Sequence, residues 1–196
     1  MGTLTIANQI TLLRMLLIPA FVIQVLYGEL GWALATFVTA GITDALDGLI
    51  ARRAGQKTTL GAWLDPMADK LLLLSAFIVL TMPGRGLVAR IPVWLTVLII
   101  SRDVVIVSVV AIVNLAVGPR TFRPSIWGKV ATATYIVTGL LFMVTNYVGF
   151  EMYLLRSPWP ISVLDVAVYA SLVITVVSSL HYIGYAARMI NSADGA

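Results

Sequence analysis

Two short stretches of this chain bring four aspartates together at helical spacing. They read Asp44-Ala45-Leu46-Asp47-Gly48-Leu49-Ile50-Ala51-Arg52 and, eight residues later, Gly61-Ala62-Trp63-Leu64-Asp65-Pro66-Met67-Ala68-Asp69. Asp44, Asp47, Gly48 and Ala51 share one helical face, and Gly61, Asp65 and Asp69 share another, because residues three and four apart are helix neighbours. The link between the two stretches is short, so the helices are expected to run antiparallel with their carboxylate faces converging. Four like charges so close repel unless cations intervene. Hard divalent ions with oxygen ligands answer that need, and Mg²⁺ commonly shares its shell with substrate phosphate. Two such ions about 4 Å apart form the clamp used in phosphoryl displacement. Gly48 and Gly61 let a substrate approach the backbone, and Arg52 offers a planar fork to a phosphate. The plainer alternative is that the aspartates sit in exposed loops or pair with Arg52, Arg53 and Lys70.

The elements that must hold these residues are greasy. Of 196 residues, 60% are hydrophobic and 11% charged, a balance unsuited to a soluble domain. Carboxylates at membrane depth are costly, so a cluster of them calls for compensation or a function. The apolar runs are continuous rather than alternating, which argues for helices over a β-barrel. The expectation is an all-α polytopic membrane protein of one domain over residues 1–196. No secretory signal peptide is read at the N-terminus. The chain has no cysteine and one histidine, His181. Disulfides, thiolate metal sites, cysteine nucleophiles and multi-histidine metal sites are thereby excluded. The net charge of +4 suits anionic headgroups and phosphate-bearing substrates; nucleic acid is not expected as a partner.

Hydropathy places six transmembrane helices, at about Thr11–Leu30, Trp32–Ile50, Ala62–Met82, Ile91–Val117, Gly128–Val148 and Ile161–Tyr182. Residues 1–10 read as an interfacial segment and residues 191–196 as a flexible tail. Turn residues punctuate the links: Gly28 to Gly31, Pro83-Gly84-Arg85-Gly86, Pro119 to Pro124, and Pro158 to Pro160. Arg52, Arg53, Lys57, Arg120, Arg123, Lys129 and Arg188 fall on one side, Arg85, Arg90 and Arg156 on the other. The richer side is expected to be cytoplasmic, which sets the aspartates at cytoplasmic helix ends. Tryptophans 32, 63, 94, 127 and 159 read as interfacial anchors.

The pattern Asp-x-x-Asp-Gly-x-x-Ala-Arg-x8-Gly-x-x-x-Asp-x-x-x-Asp resembles the signature of the CDP-alcohol phosphatidyltransferases. Asp44, Asp47, Gly48, Ala51, Arg52, Gly61, Asp65 and Asp69 match every position, and the resemblance covers nearly the whole chain. It implies transfer of a phosphatidyl group from CDP-diacylglycerol to an alcohol, with release of CMP. It implies that Asp44, Asp47 and Asp65 hold two Mg²⁺ or Mn²⁺ ions, and that Asp69 completes the metal site and acts as general base. Donor contacts would come from Asp44, Gly48, Ala51, Arg52 and Gly61. A homodimer in a bacterial inner membrane, with the active site facing the cytoplasm, is also implied.

Asn8, Thr11 and Arg14 share a face at the start of the first span. In similar family members this segment lies beside the nucleotide site, which makes Asn8 and Thr11 donor-binding candidates. The alternative is a helix cap and an arginine that snorkels to the headgroups. Arg102 and Asp103 lie mid-span, where charges pair or face a cavity. Adjacent helical residues point apart, so a mutual ion pair is not expected. Arg102 is expected to face an acceptor-phosphate pocket with Lys129, Arg120 and Arg123, and Asp103 to pair with a cation on another helix. Lys70 reads as a charge balancer and His181 as a hydrogen-bonding residue.

The segment Asp65 to Lys70 is similar to both the phosphatidylglycerophosphate synthase and the cardiolipin synthase branches. Glycerol 3-phosphate is the expected acceptor, with phosphatidylglycerol as the alternative. Two other classes also fit an aspartate-rich membrane chain. A membrane prenyltransferase is usually longer and lacks the Gly and Ala-Arg positions. A cation transporter places its aspartates on broken helices at mid-membrane.

Overall fold

The computed structural model describes residues 6–54, 59–83, 86–117, 125–150, 153–155 and 161–194. Among these residues the regular structure is helical apart from one short ribbon. The helices are α1 (Ile6–Leu26), α2 (Leu30–Ala54), α3 (Thr59–Thr81), α4 (Val93–Val117), α5 (Ile126–Val148) and α6 (Val163–Asp194). Between α5 and α6, strands β1 (Tyr153–Leu155) and β2 (Ile161–Ser162) pair antiparallel. The proline-rich link there had given no strand signal.

Among the described residues, three helical stretches are long and apolar enough to cross a bilayer: Val93–Val113, Ile126–Val148 and Val163–Tyr185. Among the described residues, α1, α2 and α3 carry shorter apolar stretches at Leu12–Leu26, Leu30–Thr43 and Lys70–Thr81. α1 takes in residues 6–10, which hydropathy had set apart as a surface segment. α6 carries the helix to Asp194, through most of the stretch read as a tail. Its 32 residues span about 48 Å at 1.5 Å per residue.

The described chain divides into two compact units. In the first, formed by residues 1–90 and 142–150, α1 packs against both α2 and α3. α1 ends at Gly28, whose φ of +79° suits a residue without Cβ. Glu29 N–H donates to the Gln24 carbonyl at 2.8 Å and Gly28 N–H to the Val25 carbonyl at 3.1 Å, closing the helix as a Schellman turn. The short turn folds α2 back along α1. Phe21 and Phe37 meet with ring centroids 5.8 Å apart, and Thr36 Oγ1 donates to Gln24 Oε1 at 2.8 Å. Asn146 fastens the segment after α3. Its Nδ2 donates to the Ala89 and Phe142 carbonyls at 2.9 and 2.8 Å, and its Oδ1 accepts from Ala89 N–H at 3.0 Å.

In the second unit, residues 91–141 and 151–196, α4 packs on α6. α6 starts with a reciprocal cap. Ser162 Oγ accepts from Asp165 N–H at 3.1 Å, while Asp165 Oδ2 accepts from Ser162 N–H and hydroxyl, both at 2.9 Å. This satisfies donors that a helix start otherwise leaves open. α5 starts on Ser125, whose Oγ accepts from Gly128 N–H at 3.0 Å. Hydroxyls join α5 to α6: Tyr135 Oη lies 2.6 Å from Thr175 Oγ1, and Thr138 Oγ1 lies 2.8 Å from Ser171 Oγ. Ser171, Thr175 and Ser178 follow four and three residues apart and are all buried, so α6 presents a narrow polar stripe to its neighbours. Large exposed side chains such as Val97, Val104, Val107 and Leu115 give α4 an outer surface suited to lipid rather than water.

Candidate functional site: the aspartate helices and a buried arginine

The first unit carries all four aspartates on helices. Asp44 and Asp47 lie in α2, with Gly48, Ala51 and Arg52 on the same helix, and Asp65 and Asp69 lie in α3 with Gly61. The buried residues of α2, Ala33, Phe37 and Ala40, step by four and three residues. Asp44 and Asp47 continue that rhythm. On α3 the buried residues Ala68, Leu72 and Ala76 belong to the stripe that Asp65 and Asp69 share at three- and four-residue offsets. Both aspartate pairs thus occupy helical positions in register with interior stripes. The donor set is four carboxylates with no thiolate or imidazole among them, which fits hard divalent ions such as Mg²⁺ or Mn²⁺.

Asn8 and Thr11 lie in the first turns of α1, two and one three-residue steps before Arg14. Arg14 itself is 1% exposed. It does not snorkel to a headgroup layer; it is buried on the α1 stripe that includes Phe21 and Val25. A charge buried this deeply requires compensation.

The second unit holds another buried arginine. Arg102 is 9% exposed. Its Nη1 donates to Asp103 Oδ1 at 2.7 Å and its Nη2 to Ser178 Oγ at 2.7 Å. The ion pair between adjacent residues, judged awkward from helical directions, is therefore present. The long arginine side chain has enough torsions to curl back to the carboxylate beside it. Its Nε is buried with no hydrogen-bond partner among the described residues. The guanidinium reaches the start of α5: a Cβ on Gly128 would lie 3.5 Å from Nη2 and 3.4 Å from Ser125 Oγ. Arg102 and the Ser125-to-Gly128 segment are thus brought together. Lys129 follows on the exposed side of the same turn. Arg120 and Arg123 fall outside the described residues.

Ser178, Tyr135, Thr138, Ser171 and Thr175 were not singled out from sequence. Their signal was present as small or hydroxyl residues recurring at one face of an apolar span. It is a weak signal beside the charged residues. His181 is exposed near the C-terminal end of the apolar part of α6.

Comparison with known proteins agrees with the motif. A family model described as CDP-alcohol phosphatidyltransferase matches residues 4–177. A probable phosphatidylglycerophosphate synthase of Mycobacterium tuberculosis is 36% identical over 194 residues, covering 94% of this chain and 83% of that protein. A CMP-forming cardiolipin synthase of Rattus norvegicus is 38% identical over 149 residues, covering 68% of this chain and 48% of its own. A putative cardiolipin synthase of Mycobacterium bovis is 35% identical over 138 residues, covering 68% of this chain and 62% of its own.

Proposed function

The chain belongs to the CDP-alcohol phosphatidyltransferase family, and on that premise we propose that it makes phosphatidylglycerophosphate from CDP-diacylglycerol and glycerol 3-phosphate. The enzyme class follows from the family, as do a CDP-diacylglycerol donor, an alcohol acceptor and a place in a lipid bilayer. The choice of acceptor rests on the extent of likeness. The phosphatidylglycerophosphate synthase matches 94% of the chain, against 68% for each cardiolipin synthase above. Phosphatidylglycerol as acceptor is the alternative reading.

Asp44, Asp47, Asp65 and Asp69 would hold two divalent cations, which neutralise the donor's diphosphate and stabilise the leaving CMP. Gly48 and Gly61 leave room for the nucleotide against the backbone. Asn8, Thr11, Ala51 and Arg52 line the donor side. Asp69 takes the proton from the acceptor hydroxyl. The freed oxygen attacks the phosphorus of the phosphatidyl group, and the bond from that phosphorus to the CMP oxygen breaks in line. Arg102 and Lys129 receive the phosphate of the acceptor, with Arg120 and Arg123 extending the basic surface. The full architecture would have six transmembrane helices in a bacterial inner membrane, with the active site facing the cytoplasm and two copies forming a dimer.

The test is a panel of acceptors given to purified protein with CDP-diacylglycerol, products being read by mass spectrometry. Glycerol 3-phosphate should be consumed with CMP released. Asp69→Asn and excess chelator should each abolish turnover. Preference for phosphatidylglycerol would move the chain to the other branch, and full activity in chelator would reject the metal reading.

A further inference from the structure

Arg14 is among the largest fully buried side chains of the protein, and the mechanism above gives it no task. Its partner can be read from helix register. α1 and α2 fold back on each other through the turn at Gly28, and Phe21 faces Phe37 across them. Seven residues back along α1 from Phe21 is Arg14, and seven residues forward along α2 from Phe37 is Asp44. Seven residues are two helical turns, about 10.5 Å, so both positions return to the faces that hold the phenylalanines. Arg14 shares the buried stripe with Phe21 and Val25, and Asp44 continues the stripe of Ala33, Phe37 and Ala40.

The acidic residues of the same compact unit narrow the choice. The described part of that unit contains Glu29, Asp44, Asp47, Asp65 and Asp69. Glu29 sits in the turn at the far end of α1, about 22 Å along the helix from Arg14 at 1.5 Å per residue. The aspartate helices, by contrast, both pack on α1. A buried guanidinium in an apolar chain requires an anion, and the carboxylates at its own level are the aspartates of the signature.

We propose that Arg14 is the resident counter-charge of the carboxylate constellation, seated opposite Asp44, and that it keeps the four carboxylates in place before cations arrive. It is a positioning residue: it acts on the aspartates, not on the substrate. The inference rests on reading those aspartates as the metal site, and it supplies what that reading lacks. Four mutually repelling carboxylates would otherwise destabilise the metal-free protein.

The experiment is thermal unfolding of the full chain in detergent, in chelator and in excess Mn²⁺. Arg14→Gln should lower Tm in chelator by on the order of 10 °C, and Mn²⁺ should recover more of that Tm than it adds to wild type. Arg14→Lys keeps the charge and should keep the wild-type Mn²⁺ increment. The cost of Arg14→Gln should shrink in an Asp44→Asn background, since the two share one interaction. Recovery of folded Arg14→Gln only in the presence of Mn²⁺ would also support the proposal. An unchanged Mn²⁺ increment, a Lys variant that behaves as Gln, or equal cost in both backgrounds would each overturn it. So would a rise in donor KM with an unchanged Mn²⁺ increment, which would make Arg14 a substrate ligand. A wild type indifferent to Mn²⁺ would instead reject the metal reading, while the coupling to Asp44 would still test Arg14.

Discussion

Replacing Ser178 with alanine should loosen Arg102. The serine hydroxyl accepts from Nη2 at 2.7 Å in a buried setting, and Nε already has no hydrogen-bond partner among the described residues. The variant removes an acceptor from a charged donor, and burial keeps water from replacing it. Bonds to charged groups contribute about 1.5–3 kcal/mol in protein interiors. Interhelical bonds within membranes average about 0.6 kcal/mol and reach about 1.7. The ion pair to Asp103 survives, so the expected loss lies between these scales, about 1–2 kcal/mol. For a chain of this size that lowers Tm by about 2–8 °C. If the same bond aims the guanidinium at the acceptor, the acceptor's KM rises about 5- to 30-fold while the donor's KM stays near wild type. The assay is steady-state CMP release with each substrate varied in turn, beside a thermal melt. Ser178→Thr retains the hydroxyl and should retain most of both properties. A Ser178→Ala protein with wild-type Tm and KM values would show that Arg102 does not depend on this bond. A rise in donor KM alone would place Arg102 on the donor side.

Gly128 and Asn146 offer two further tests. At Gly128 a Cβ would sit at ordinary contact distance from Ser125 Oγ and Arg102 Nη2; Gly128→Ala should therefore stay within a few-fold of wild-type activity. Gly128→Leu must displace the guanidinium and should cost at least about tenfold in kcat/KM. Asn146→Leu removes three hydrogen bonds and leaves both backbone groups of buried Ala89 without that partner. A loss of about 2–4 kcal/mol is expected, read as a lower Tm and faster hydrogen exchange at the Ala89 amide.

The chemistry was far more legible in the sequence than the packing. The aspartate signature could be read because carboxylates are rare in such an apolar chain and their offsets are fixed by one helical period. Arg14 was ambiguous. An arginine near a helix start can snorkel or be buried, and only the register of α1 against α2 separates the two. The Arg102–Asp103 pair was misjudged from Cβ directions, which ignore how far a flexible side chain can turn back. Hydropathy also marks where an apolar environment ends and not where a helix ends. By hydropathy the last span ends at Tyr182, yet α6 continues to Asp194, since Ala186, Ala187, Arg188 and Met189 are all strong helix formers. The β1–β2 ribbon escaped notice because it depends on backbone pairing between strands of three and two residues, too few to show alternation.

The hydroxyl stripe of α6 bears on how the protein is made. Thr175 and Ser179 donate to the carbonyls of Ser171 and Thr175, four residues earlier on their own helix. A nascent α6 released into the bilayer alone therefore already has homes for these protons, and its polar side chains add little to the cost of insertion. Once α6 meets α5, which is synthesised before it, Thr175 Oγ1 can still accept from the Tyr135 hydroxyl, and the Ser171 hydroxyl can engage Thr138. Biogenesis can thus proceed in two stages, with lipid entry first and lateral recognition afterwards, the Thr175 hydroxyl serving both.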